Sequence, residues 1–166
     1  PNNKKAVFKS AMKKKADMFL NPPTSFLGIN GMKKMAKEML YWEEELGKQE
    51  TDKILRRIVE FCGSVPTTPN RLKGTTETDE VVFMCSRDKM SKVLIELGSE
   101  YINDNLMKSG ELFKDSGKQF ETLCDIFIDY ILDTKKDMKS ARDVILNIAE
   151  TEYTAYQLIS KGLDEI

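Results

Sequence analysis

Apolar positions recur every three or four residues along most of the chain, which is the spacing of one face of a helix. This pattern predicts six helices, at about 3–20, 30–42, 51–62, 86–101, 109–133 and 136–161. No alternating strand pattern competes with them. The sequence therefore predicts an all-α fold, an irregular bundle of five to six amphipathic helices in a single domain spanning residues 1–166.

Local signals indicate where several of these helices begin and end. Asn21-Pro22-Pro23 ends the first helix, because proline has no N–H and forces the residue before it out of the helical region. Trp42 is expected to end the second helix. Thr51 or Asp52 is expected to cap the third, and Ser86 the fourth.

The segment 63–80, GSVPTTPNRLKGTTETDE, contains two prolines, two glycines and five threonines with almost no apolar residue. It predicts one long loop, and a loop of this length in a compact domain is typically functional or mobile. The following run 81–85, VVFMC, is short and apolar. Periodicity leaves open whether it forms a strand or a helical turn.

The composition is that of a soluble globular protein, with 40% apolar and 32% charged residues. No apolar run is long enough to cross a bilayer, and the N-terminus does not resemble a signal peptide. We therefore expect a cytoplasmic protein without a membrane partner. The net charge of −1 argues against nucleic-acid binding. The first residue is Pro1, so either the chain was cut from something longer or its first residues are missing. We expect it to be the C-terminal part of a longer two-domain protein.

The side chains needed for most self-contained catalysis are missing from the sequence. It has no histidine, no glycine-rich phosphate loop and three widely spaced cysteines without a CxxC pair. We therefore expect no catalytic residue, no metal and no cofactor in this chain. Cys85 lies near Arg87 at a predicted helix start, a position that can lower a thiol pKa, but we favour a packing role for it.

Two features of the fifth predicted helix leave alternatives open. Glu121, Asp125, Asp129 and Asp133 recur every four residues and form either a divalent-cation site or a solvated face. We favour the solvated face. Gly117 falls on the apolar side, where it is expected to permit a close helix contact at some cost in helix propensity.

Glu152 falls between Ile148 and Ala155 on the apolar stripe of the last helix. A buried carboxylate requires a partner, and Tyr101, Arg87 or Arg142 could supply one. We favour a structural ion pair over the alternative, a ligand contact. Glu96 raises the same question more weakly, and Trp42 either packs on a neighbouring helix or lines a groove. The candidate binding or interface residues are Trp42, Arg87, Glu96, Tyr101 and Glu152.

Charge is unevenly distributed along the chain. Residues 1–40 contain nine lysines against Asp17 and Glu38, a net charge of +7, so the remainder carries −8. The simpler interpretation is a solvated helix face, which we favour. The alternative is a surface for an acidic partner.

Residues 21–42, NPPTSFLGINGMKKMAKEMLYW, resemble the start of the C-terminal domain of butirosin biosynthesis protein H-like proteins. Residues 83–98, FMCSRDKMSKVLIELG, resemble the entry of that family into a helix through an aromatic residue and an arginine. The last helix, with Glu152 and Tyr153, is compatible with the family. The chain departs from it around 63–79, where a glycine-rich turn is expected.

The resemblance implies a function for the whole protein. In such proteins a papain-like N-terminal domain carries the nucleophilic cysteine, and the family resembles acyltransferases that pass an acyl group from a carrier protein to an amine. This chain would then be a non-catalytic accessory domain that shapes the cleft of the missing N-terminal catalytic domain, or docks an acidic acyl carrier protein or the acceptor. The alternative is a helical protein-interaction or dimerisation module, a homo-oligomer, suggested by the methionine and aromatic faces.

Overall fold

The structure, a computed structural model, describes residues 2–21, 29–63, 87–133 and 137–166. Every regular element in these ranges is helical. In chain order they are α1 (Asn2–Leu20), α2 (Ile29–Glu38), a 3-10 turn (Met39–Tyr41), α3 (Trp42–Leu46), α4 (Lys48–Gly63), α5 (Arg87–Glu100), α6 (Asp104–Leu132) and α7 (Lys139–Asp164). The all-α fold class is confirmed.

Several predictions fall on residues outside the described ranges. The loop predicted at 63–80 lies outside them except for Gly63, which is the last residue of α4. The run 81–85, the cap at Ser86 and the prolines after Asn21 lie outside as well.

The two longest helices, α6 with 29 residues and α7 with 26, pack against each other and form the centre of the bundle. At 1.5 Å per residue they are about 44 and 39 Å long. The helices α4 and α5 pack against α6, while α1 and α2 pack against α7. Each of these four helices therefore depends on the central pair for most of its burial.

Two separate apolar clusters lie along this central pair. The first core joins α1 and α5 to the N-terminal half of α6 and the C-terminal half of α7; its buried members are Met12, Ala16, Phe19, Met90, Leu94, Leu106, Phe113, Ala155, Tyr156, Ile159 and Leu163. The second core joins α2 and α4 to the other halves; its buried members are Ala36, Met39, Leu55, Leu123, Phe127, Tyr130, Met138, Ala141, Ile145 and Ile148.

Two predicted helix boundaries are wrong. Trp42 does not end the second helix, because α2 gives way to the 3-10 turn at Met39 and Trp42 begins α3. Neither Thr51 nor Asp52 caps the third predicted helix, because that helix, α4, already begins at Lys48. Thr51 is buried within it, and its hydroxyl donates to the Gly47 carbonyl at 2.8 Å.

The fifth predicted helix starts earlier than expected. It begins at Asp104 instead of near Ser109, because the Asn103 side chain accepts a hydrogen bond from the Leu106 N–H at 3.0 Å and caps the first turn. Ser109 is buried inside the helix and donates its hydroxyl proton to the Leu106 carbonyl. Asparagine is a strong N-cap residue, so the sequence contains a signal for a start at Asn103 as well as for the expected start near Ser109.

Two glycines of α6 lie where the helix approaches α5. A Cβ atom at Gly110 would lie 2.8 Å from the Ser91 carbonyl oxygen and 2.7 Å from Ile95 Cγ1, so the backbones approach too closely for any side chain. At Gly117 a Cβ atom would lie 3.3 Å from Arg87 Cβ. The close contact predicted at Gly117 is therefore present, but the tighter one is at Gly110.

We expect Gly110→Ala to lower the free energy of unfolding by about 1–3 kcal/mol, because the added methyl group meets backbone that cannot move independently. Gly117→Ala is the matched control. Its gain in helix propensity, about 1 kcal/mol, offsets a small shift of Arg87, so its net effect is close to zero. Urea unfolding followed by circular dichroism measures both, and equal effects would contradict the close approach at Gly110.

Candidate functional site

The structure brings two of the five candidate residues together. Arg87, the first residue of α5, contacts Glu152 near the middle of α7. Trp42 is partly buried against the second core. Glu96 is exposed on α5, and Tyr101, just after α5, is 46% exposed. These three do not contact the Arg87–Glu152 pair in the described contacts, and their binding roles stay predictions.

The contact between Arg87 and Glu152 is a bidentate ion pair. Arg87 Nε donates to Glu152 Oε2 at 3.1 Å, and Nη2 donates to Oε1 at 3.4 Å. The glutamate side chain is only 3% exposed, whereas the arginine side chain is 34% exposed. The prediction that Glu152 has a charged partner is confirmed. Of the other two candidates, Arg142 instead binds its neighbour Asp143 at 3.1 Å.

Ser116 and Phe120 of α6 complete the surroundings of this ion pair. The buried Ser116 hydroxyl donates a hydrogen bond to Glu152 Oε2. The Phe120 ring lies under the Arg87 guanidinium, 4.1 Å from its carbon to the ring centroid, in cation–π geometry. The carboxylate thus receives hydrogen bonds from both α5 and α6, and it ties both helices to α7.

The role of Ser116 was not predicted, although the sequence contains a signal for it. Ser116 lies three residues after Phe113 and four before Phe120, so it occupies the apolar face of its helix. Glu152 interrupts the apolar face of α7 in the same way. Two polar residues that interrupt the facing stripes of neighbouring helices are candidates for a mutual hydrogen bond.

Tyr156 lies one turn after Glu152 on α7 and is buried. Its ring packs against Phe19, with centroids 4.5 Å apart, and edge-on against Phe113 at 5.1 Å. Burial raises the pKa of the Tyr156 phenol far above its ordinary value, and the negative charge of Glu152 raises it further. Tyr156 is therefore a neutral member of the first core.

This arrangement favours a structural role over a chemical one. Both carboxylate oxygens of Glu152 accept hydrogen bonds from Arg87, and Oε2 also accepts one from Ser116. A carboxylate engaged in this way is a poor general base, and the buried Ser116 hydroxyl is out of reach of a substrate. The ion pair and Ser116 therefore hold three helices together between the two cores.

A second polar cluster joins α4 to the end of α6. It was not predicted from the sequence. Lys48 Nζ donates to Asp52 Oδ1 at 2.7 Å and to the Tyr130 carbonyl at 2.9 Å. The same ammonium lies 4.2 Å from the centroid of the Tyr130 ring, and the Tyr130 hydroxyl donates to Glu43. A positive charge at a helix C-terminus is stabilising, so Lys48 anchors α4 on α6.

The acidic line on α6 is a surface feature. Glu121, Asp125, Asp129 and Asp133 are all exposed. Among the described residues, no group of histidine, cysteine, aspartate or glutamate side chains has the arrangement of a metal site. The exposure agrees with the favoured interpretation of a solvated face.

Comparison with known proteins gives one match. Residues 1–67 match a protein-family model described as a Domain of unknown function (DUF4872), which spans α1 to α4. No curated protein and no solved structure matches the chain. The matched part is less than half of the sequence, and its description names no activity. None of the described helices is both long and apolar enough to cross a membrane.

We expect the ion pair to show strong coupling in a double-mutant cycle. Arg87→Met leaves a buried carboxylate without its cation and costs about 3–5 kcal/mol, whereas Glu152→Gln costs less, because the half-buried Arg87 can be hydrated. The double variant Arg87→Met/Glu152→Gln is expected to be more stable than Arg87→Met alone, because it leaves no buried charge without a partner. Urea unfolding of the wild type and the three variants gives the coupling energy between Arg87 and Glu152. Additive changes in the free energy of unfolding would contradict an interaction between the two side chains.

The raised pKa of Tyr156 predicts loss of stability in alkali. An unfolded tyrosine ionises near pH 10, whereas the buried one stays protonated, so the unfolded state is favoured as the pH rises above about 10. The slope approaches about 1.4 kcal/mol per pH unit for this one group. In Tyr156→Phe we expect the free energy of unfolding to fall less steeply between pH 10 and 11, by about 1 kcal/mol per pH unit. Tyr101→Phe, which removes a phenol that is 46% exposed, is the control variant.

Proposed function

We propose that this chain is a non-catalytic accessory domain of an acyltransferase-like protein and that it docks an acidic acyl carrier protein. Two sequence observations support the proposal. Residues 21–42 resemble the start of the C-terminal domain of butirosin biosynthesis protein H-like proteins, and this segment lies within the part that matches a domain of unknown function. The catalytic cysteine would belong to the N-terminal domain that the resemblance implies.

The observation that carries the docking role is the lysine surface formed by α1 and α2. Both helices pack against α7, α1 through the first core and α2 through the second, and Met32 of α2 contacts both cores. Their exposed sides carry the lysine surface, which consists of Lys13, Lys14, Lys34 and Lys37. Acyl carrier proteins are usually acidic, so the charges are complementary.

The ion pairs already made by this surface leave it available for a partner. Lys13 contacts Asp164 of α7, and Lys34 lies 3.8 Å from Glu38. All four side chains of these pairs are more than half exposed. Exposed pairs of this kind contribute about 0–1 kcal/mol, so the lysines can exchange their own carboxylates for those of a carrier protein at little cost.

The internal network supports the non-catalytic part of the proposal. Glu152, the candidate most suited to acid–base chemistry, has its hydrogen-bonding capacity taken up by Arg87 and Ser116. Its position between two cores leaves it no exposed approach. The domain would therefore act through its surface, by shaping the cleft of the catalytic domain or by holding the carrier near it.

Charge reversal on the lysine surface tests the docking role. In the full-length protein, we expect Lys14→Glu/Lys37→Glu to raise the KM for an acylated carrier protein about tenfold or more with little change in kcat, and to weaken the salt dependence of kcat/KM. Lys114→Glu/Lys118→Glu on α6 makes the same charge change away from α1 and α2 and serves as the control. Equal KM values for both variants and the wild type would overturn the proposal.

A further inference from the structure

A shallow apolar groove lies between α4 and α6, on helices that do not carry the lysine surface. It has a volume of about 270 Å³ and is lined by Val59 and Arg56 of α4 and by Ile128, Ile131 and Leu132 of α6. Two of these aliphatic side chains are prominently exposed, Ile128 at 40% and Leu132 at 78%. Exposed aliphatic side chains that share a groove favour contact with a partner, whereas isolated ones are ordinary.

The two rims of this α4–α6 groove carry opposite charges. On α4, Arg56 is exposed and lies three residues before Val59, on the same side of the helix, where it lines the groove. On α6, Asp125 and Asp129 are both exposed, and each lies three residues before a lining residue, Ile128 and Leu132 respectively. The surface therefore runs from a basic rim through an apolar floor to an acidic rim.

We propose that the α4–α6 groove binds the same groove of a second copy of this chain. A twofold axis running along the groove places α4 of each copy over α6 of its partner, so each basic rim meets an acidic rim while the apolar floors pack together. Such a self-complementary patch is what a symmetric dimer requires. A partner with one sign of charge would match one rim and be repelled by the other.

This dimer is independent of the proposed carrier docking. The groove belongs to α4 and α6, whereas the lysine surface belongs to α1 and α2. Failure of either proposal therefore leaves the other intact. The dimer is tested by measuring self-association, whereas carrier docking is tested by the KM for a carrier protein.

Sedimentation velocity over a range of concentrations tests the dimer with two complementary charge variants. We expect the wild type to dimerise reversibly, and Arg56→Glu and Asp125→Lys/Asp129→Lys each to be monomeric, because each variant opposes like charges across the interface. Mixed in equal amounts, the two variants are expected to regain the dimer, since both rim contacts are then attractive. Lys92→Glu/Lys108→Glu, away from the groove, is the control and dimerises like the wild type.

The apolar floor is tested separately by a matched pair of exposed aliphatic residues. We expect Leu132→Ser to raise the dimer dissociation constant about tenfold or more, because it removes the most exposed side chain of the floor. Ile102→Ser changes a side chain that is 88% exposed but lies at the α5–α6 turn, and it should leave the constant unchanged.

Three results would overturn the dimer. They are a wild-type protein that stays monomeric at every concentration, a dimer that survives both charge variants, and charge variants that do not associate when mixed. Because all the substituted side chains in these variants are exposed, thermal unfolding of each variant near the wild-type temperature verifies that a lost dimer is not a lost fold.

Discussion

The bundle depends on how one carboxylate is accommodated. Glu152 lies in the middle of the longest helix pair, where neither water nor an apolar neighbour can stabilise its charge. Arg87 and Ser116 supply the hydrogen bonds, and they come from two other helices. An ion pair of this kind adds little to stability compared with an apolar replacement. The ion pair instead fixes the relative positions of three helices, because α5, α6 and α7 must meet in one register for the carboxylate to receive its hydrogen bonds.

Much of this arrangement could be predicted from the sequence because it follows from helical periodicity. The apolar stripes of α5 to α7 identified the fold class, and Glu152 was noticed because it interrupts such a stripe. The choice among Tyr101, Arg87 and Arg142 could not be made. Periodicity shows which face of a helix is buried, but it does not show which helix lies against that face.

The features that were missed depend on contacts between distant parts of the chain. Lys48 reaches the carbonyl of Tyr130 across 82 positions, and this contact explains why α4 begins before the residues that were expected to cap it. The role of Ser116 cannot be recognised until it is known that α7 packs against α6. Both are short polar links whose partners are fixed only by the packing of whole helices.

The division into two cores has a consequence for how the domain moves. The buried members of the first core include residues of α1 and α5, and those of the second include residues of α2 and α4; among the described helices, α6 and α7 contribute buried residues to both. Regions with separate apolar cores open as separate cooperative units, each with its own free energy of local unfolding. We therefore expect the end of the bundle that contains α4 to open locally more readily than it opens together with α1, with Glu152 at the boundary between the two units.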